Sequence, residues 1–481
     1  MDLANRRERS GGFQESARDQ LSPSTPQGLA EKNSLPLFAL LLGLAMAGGG
    51  AWLVQILLGI GVTGKNRPVF WGGYIASYIF WMGVSSTGGI CSSTIRLWGR
   101  GSWFPLLRFA EWTALLALCV GALFPLVHLG RPALFYALVP MPNSRFLWPN
   151  FHSPLVWDFL GINAYLLGLL AQLYLSLLPD LARAGRGNPR IVAKIFQLVS
   201  LRWGNTPEEK QILKKAGTIT AFLMLPAAAI PLSISLHLVF SLNGKQLISP
   251  WPLAVLSGVQ FLSGALLSGL AAFTLLVALA GRLDRTVSQS RLLLLSRLNR
   301  LLKDVALGWV ALTFLNGQAG WISDSPGKQA MADALLSGDY CGMFWSALLL
   351  VVAVPFLGSL VPGKRGIELL PPLSILTGVW MDRLLAIVIP LSHPLLSYNS
   401  RIYHPSAVEL FIVLASFMLF GLIFLVSYKV LPGWEFRLEA NFQKELDDAS
   451  KGRKEPIDEN GKRAGNKPPN VLEKYNPGLE L

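Results

Sequence analysis

Apolar residues in this chain fall in unbroken blocks of twenty or more rather than at amphipathic spacing. The stretch LPLFALLLGLAMAGGGAWLVQILLGIGV from Leu35 is typical. A block of that length crosses a hydrocarbon core of about 30 Å as a helix. Ten such segments are expected, at about 35–62, 69–95, 108–129, 154–178, 216–242, 251–281, 298–322, 341–361, 367–390 and 406–431. All should be helices, because lipid offers the backbone no other partner. No short-period repeat is visible. Ten helices divide naturally as one, four, four and one, so the expected fold is an all-α polytopic membrane protein with two four-helix bundles and two flanking helices. Residues 1–34 carry Arg6, Arg7, Arg9, Pro23 and Pro26 without an apolar core. They read as a disordered cytoplasmic tail, not a signal peptide. Residues 35–432 form the transmembrane domain. Residues 433–481, polar and charged with Pro456, Pro468, Pro469 and Pro477, read as a second cytoplasmic tail.

Composition agrees. Hydrophobic residues make up 52% and charged residues 15% of the 481 positions, against about 25% charged in soluble domains. Cys91, Cys119 and Cys341 form no CxxC pair, haem-attachment site or iron–sulfur run. With only five histidines, the chain is expected to hold no metal, haem or iron–sulfur cluster of its own. The net charge of +14 comes from 42 basic and 28 acidic residues. Its distribution matters more than its size: segments on the amino-terminal side of the expected spans hold 31 Lys and Arg, and those on the other side hold 7. That bias puts both termini in the cytoplasm of a cell-membrane protein. It also explains the basic charge as a topology signal and a contact for anionic lipids, with no nucleic acid implied.

Ionisable side chains at membrane depth are costly and are therefore functional candidates. The topology assigns depths. His128 and Arg131 in FPLVHLGRP lie at the outer end of the third span, and Asp158 in SPLVWDFLGINAY lies about one turn in from the outer face. His237 in PLSISLHLVF comes near the same level, with Asp382 and Arg383 of WMDRLLAIVIP somewhat deeper. A quinol is held by two hydroxyl oxygens and gives up two protons as two electrons leave. Imidazole or carboxylate can take a proton, and arginine can keep the carboxylate charged. His128 with Asp158, backed by Arg383, meets those demands. Each member also has a structural explanation: an interfacial histidine, a helix-terminal Arg131–Pro132, a dipole-stabilised Asp158 and a static Asp382–Arg383 pair. Shared depth is what argues for the set.

A second polar series includes Glu111 near the inner end of the third span, Glu409 near the outer end of the tenth, and Ser85, Ser86, Thr87, Ser92 and Ser93 along the second. Glu111, Ser86 and Glu409 can form a proton path, although hydroxyls also pack helices together. Bis-histidine haem between His128 and His237 is a competing use. A secondary transporter, with Asp158, Arg383 and Glu111 binding substrate and protons, is another. Only Pro226 and Pro231 in the fifth span hint at the broken helices that transporter needs.

The stretch RFAEWTALLALCVGALFPLVHLGRPALFY, followed by LWPNFHSPLVWDFLGINAYLLGLLAQLYLSLLPDLA, resembles the polysulfide-reductase-type (NrfD-like) membrane subunits. PLSISLHLVFS, MDRLLAIVIPLSH and the IYHPSAVELFIVLASFMLF segment are most similar to the ten-helix branch that supplies the large quinol-binding subunit of alternative complex III. The resemblance covers about residues 35–432. It implies His128 and Asp158 as quinol ligands, with Arg383 and Asp382 standing for a later acid–arginine pair. It implies a menaquinone or ubiquinone substrate, a periplasmic iron–sulfur subunit, a multihaem cytochrome c and a second NrfD-like membrane subunit in a respiratory or photosynthetic electron transport chain. The FWMGVSSTGG stretch departs from many relatives, which carry a histidine near Ser86. The reading is a quinol-oxidising subunit with no activity alone, possible proton translocation and electrons passed to a partner. The alternative is a quinone-reducing membrane anchor of a periplasmic molybdopterin or hydrogenase-type oxidoreductase.

Overall fold

The structure, a computed structural model, describes residues 31–99, 104–143, 145–184, 194, 197–244, 251–283, 289–322, 326–359, 367–393 and 401–430. The expected tail 433–481, and all but the last four residues of the tail 1–34, lie outside the described residues. Within them the chain forms α1 (Glu31–Leu58), α2 (Gly73–Trp98), α3 (Phe104–His128), α4 (Pro154–Ala184), α5 (Pro207–Gly244) and α6 (Trp251–Leu283). These are followed by α7 (Gln289–Trp321), α8 (Pro326–Leu336), α9 (Cys341–Ser359), α10 (Leu370–Ser392) and α11 (Ala407–Val430).

Each of the ten expected segments is one long helix. The addition is α8, an eleven-residue helix that buries Ala332 and Ala334 and is bent by 63° from α9. Its end is tied down by Trp345 Nε1 donating to Leu336 O at 3.1 Å. Seven helices (α1, α3, α4, α5, α6, α10 and α11) are long and apolar enough to cross a membrane, and the α8–α9 pair makes up to eight. The other two carry polar groups along their length. In α2 these are hydroxyls and glycines, and in α7 they are Arg297, Arg300, Lys303 and Asp304. The chain is a multi-pass membrane protein.

The helices pack as two rings. In the first, α2 packs on α3 and α5, and α4 closes the ring against both. In the second, α6 packs on α7 and α10, and α9 closes it. The rings meet where α2 packs on α6 and α10, while α1 and α11 pair with each other and lean on the first ring through α11. Gly48 of α1 allows that pairing, since a Cβ there would overlap Ala415. Prolines do not break α5, which runs continuously through Pro226 and Pro231. The hint behind the transporter reading is therefore a proline-containing helix, not a broken one.

Where the two rings meet, α2 is buried along all of residues 73–89 but Ile75. Its polar side chains bind neighbouring helices. Ser85 Oγ donates to Ala114 O at 2.7 Å, and Thr87 Oγ1 donates to Ala265 O at 3.0 Å. Trp380 Nε1 donates to Ser77 Oγ at 2.9 Å, and Trp81 Nε1 to Ser416 Oγ at 3.1 Å. Small residues let the backbones approach closely: a Cβ on Gly88 would press on the Ala114 backbone, and one on Gly269 would overlap Thr87. A G269A variant is thus expected to lose about 1–3 kcal/mol of stability by overpacking, read as a lower thermal midpoint in detergent. An unchanged midpoint would contradict the close α2–α6 contact.

Candidate functional site

At one end of the first ring, α3 terminates in the HLGRP motif. Gly130 has φ +69°, a left-handed conformation that stops the helix and favours glycine. Pro132 then opens a 3-10 segment, Pro132–Leu138. His128 is the last residue of α3, and its fixed position follows from this stop. Beneath it, Gln55 Nε2 of α1 donates to Val127 O at 2.9 Å, and Tyr74 Oη of α2 donates to Gln55 Oε1 at 2.5 Å.

Asp158 lies in the first turns of α4, 6% exposed. Tyr78 Oη donates to its Oδ1 at 3.0 Å. Tyr74 and Tyr78 are one turn apart on the same face of α2, so His128 and Asp158 flank adjacent turns of one helix. Among the described residues, His128 Nε2 and Asp158 Oδ2 take part in no hydrogen bond. One nitrogen and one carboxylate oxygen, carried by different helices, are thus left open at this end.

Arg383 is not with them. Its guanidinium donates to Phe261 O at 2.6 Å, stacks 4.1 Å from the centre of the Phe261 ring, and lies 3.4 Å from Asp382 Oδ2. Gln260 Nε2 donates to Asp382 Oδ1 at 3.2 Å and to Thr313 Oγ1 at 3.2 Å. Gly264 leaves the room that the guanidinium fills. No hydrogen bond or ion pair joins Arg383 to His128 or Asp158 among the described residues. Asp382 and Arg383 make their contacts within a polar cluster of the second ring. Arg383 sits on a face of α10 that turns to α6.

His237 is exposed on α5 and Arg131 is exposed in the loop after α3, whereas Glu409 is fully buried. Glu409 Oε1 accepts from Gly73 N–H at 2.8 Å and from Tyr403 Oη at 2.5 Å, and Oε2 accepts from Gly64 N–H at 3.3 Å. A carboxylate from α11 therefore caps the amino-terminal end of α2, where free N–H groups and the helix dipole favour negative charge. Ser86 Oγ lies midway along α2, buried and without a hydrogen-bond partner.

At the opposite end, Glu111 is 1% exposed. It pairs with Arg96 and accepts from Ser176 Oγ at 2.8 Å. Arg96 also donates to Ser176 Oγ at 2.5 Å. Next to this group Arg108 pairs with Asp180 and donates to Ser176 O at 2.9 Å. Two of the arginines counted as topology signals are thus paired with carboxylates inside the ring. Ser176, Asp180 and the pairing of both arginines escaped the sequence reading. Acidic residues at membrane depth elsewhere along the chain were the available signal. An open apolar groove between α7 and α9, lined by Leu307, Val310, Phe314, Trp345 and Leu349, holds none of the candidate polar groups.

Helices ringed around a buried polar helix, with titratable groups gathered at both ends, define the class: a polytopic helical membrane protein. The family model described as "Polysulphide reductase, NrfD" matches residues 61–392, and the chain belongs to that family. It is 32% identical over 161 residues to a putative dimethyl sulfoxide reductase membrane subunit of Halobacterium salinarum, covering 34% of this chain and 34% of that protein. It is 24% identical over 358 residues to a selenate reductase subunit of Mesobacillus selenatarsenatis, covering 73% of this chain and 81% of that one. The first of these matches therefore spans only about a third of the relative's length.

Replacing Glu111 with Ala leaves the Arg96 guanidinium without its carboxylate inside the ring. That should cost about 3–5 kcal/mol, seen as a large fall in thermal midpoint or in the yield of folded protein. A midpoint within error of the parent would show that the pair is not buried as described.

Proposed function

We propose that this chain is the quinone-exchanging membrane subunit of a multi-subunit oxidoreductase. In this reading His128 and Asp158 hold the two oxygens of the quinone or quinol. The observation that carries the proposal is the pair of open atoms, His128 Nε2 and Asp158 Oδ2, beside adjacent turns of α2. A bound quinone supplies two-electron, two-proton chemistry. The chain's residues hold its oxygens, and the Asp158 carboxyl with Tyr78 manages one proton. With no haem or cluster proposed for this chain, electrons cross to a partner with an iron–sulfur centre. Exposed Phe135, Tyr136, Met141, Phe146, Trp148 and Trp157 crowd the loop and helix start beside His128, giving that partner an apolar and aromatic surface to cover.

Both relatives are named as subunits of reductases, one of them as a membrane subunit. That supports the anchor of a molybdopterin-type oxidoreductase over the alternative complex III reading. The protein sits in the cell membrane with both termini in the cytoplasm, placing His128 on the outer side; the Lys and Arg bias supports this. A proton route along α2, by way of Glu409, Ser86 and Glu111, extends the proposal. Ser86 Oγ and Glu111 Oε2 are buried atoms lacking hydrogen-bond partners, as such a route requires. Asp382 and Arg383 are proposed as a structural pair of the second ring.

In the assembled complex, H128A and D158N should each lower quinone-coupled turnover by about 10²-fold or more, with every partner chain still present. Full turnover in an assembled H128A complex would remove the site assignment. Gentle purification followed by mass spectrometry should find a molybdopterin catalytic chain and an iron–sulfur chain. A multihaem cytochrome c in their place would restore the alternative complex III reading.

A further inference from the structure

Lys65 lies in the segment between α1 and α2, outside the spans. Its Nζ is 3.4 Å from His128 Nδ1 and 4.2 Å from the centre of the Tyr74 ring. The charged and titratable groups facing it are His128 from α3, Tyr74 from α2 and Glu409 from α11. The neighbouring Gly64 N–H donates to Glu409 Oε2 at 3.3 Å, which pins this segment over the end of α2. An ammonium has three donors and no acceptor. Opposite it, Nδ1 must present its lone pair, so the proton of the neutral ring sits on Nε2.

We propose that Lys65 is a positioning residue that fixes His128 as the Nε2–H tautomer, so that the imidazole meets its ligand as a hydrogen-bond donor. The inference rests on the reading of His128 as a quinone-facing group and sharpens it by dividing the labour. His128 donates to one oxygen, the role a quinone carbonyl completes, and proton acceptance falls to Asp158. The same imidazole with its proton on Nδ1 would offer Nε2 as an acceptor and exchange these roles. Which nitrogen is protonated is set by the partner of the other one, and here that partner is a lysine.

Burial pushes the Lys65 ammonium down to about 8, with Glu409 opposing the shift. Its folded value lies below the ordinary lysine value, so the obligate donor is present at neutral pH and is lost as pH rises through about 8. Arginine stays charged throughout that range. A K65R variant therefore keeps the lock at a pH where the parent loses it.

Histidine-selective 15N NMR of the purified complex tests this directly, with the His128 signals assigned by their loss in H128Q. The parent at pH ~7 should show an unprotonated Nδ1 and a protonated Nε2, the state an ammonium partner selects. In K65M the ring should show mixed tautomers. In K65R the parent pattern should persist and survive to pH ~9, where the parent's fades, because a guanidinium does not deprotonate there. A protonated Nδ1 in the parent, or an identical pattern in parent and K65M, overturns the proposal. Turnover separates this from the underlying reading: an inactive H128A with an unchanged K65M tautomer defeats the Lys65 role alone, whereas a fully active H128A defeats the quinone site itself.

Discussion

The hydroxyls and glycines of α2 lie along a helix that protein buries over residues 73–89, all but Ile75. The arrangement of the whole molecule follows from this constraint on α2. Its neighbours α3 and α6 bring backbone carbonyls to its side chains and α10 brings an indole nitrogen, and close contacts at Gly88 and Gly269 keep lipid out. Each hydroxyl paired to a carbonyl removes a buried polar group that would cost about 1–3 kcal/mol unsatisfied. α1 and α11 take the outer positions.

The two ends of α2 are built differently. At the Glu111 end, Arg96 and Arg108 each meet a carboxylate and share Ser176 as a common contact. This is a closed arrangement in which charge is neutralised within the ring. At the His128 end, the groups are held by one edge only. Tyr78 occupies one oxygen of Asp158 and Lys65 occupies one nitrogen of His128, leaving the other atom of each available. Satisfying half of a titratable group fixes its orientation without exhausting its chemistry, and supporting partners of active groups serve that purpose.

The helical framework was legible in the sequence because a run of twenty apolar residues has few other uses. Every expected span is a helix, and α2 was found despite its hydroxyls because apolar and aromatic residues still dominate it. The short α8 was missed: eleven residues with Lys328 and Asp333 carry no membrane-length signal. Which helix each polar residue sits on was readable, since it follows from counting along the chain, but the direction a side chain faces was not. Arg383 shows the difference, since its guanidinium binds Phe261 of α6. The carboxylate partners of Arg96 and Arg108 were not readable for a related reason, because basic residues at span ends look alike whether they face headgroups or a buried carboxylate. Lys65 was overlooked because it lies outside the membrane core, where charge is ordinary and draws no notice.

The family match spans residues 61–392, which omits the α1 and α11 pair. These two helices are nevertheless not passive cladding. Gln55 of α1 grips the carbonyl beside His128, and Glu409 of α11 supplies the negative charge that caps the start of α2. The outermost layer thus reaches inward to the most sensitive corner of what it encloses. A polypeptide trimmed to the matched core would leave the Tyr74 hydroxyl and the Gly73 amide proton at the head of its central helix with nothing to receive them. Periphery and centre are one mechanical unit here, and the boundary drawn by sequence likeness is not a seam along which the molecule can be cut.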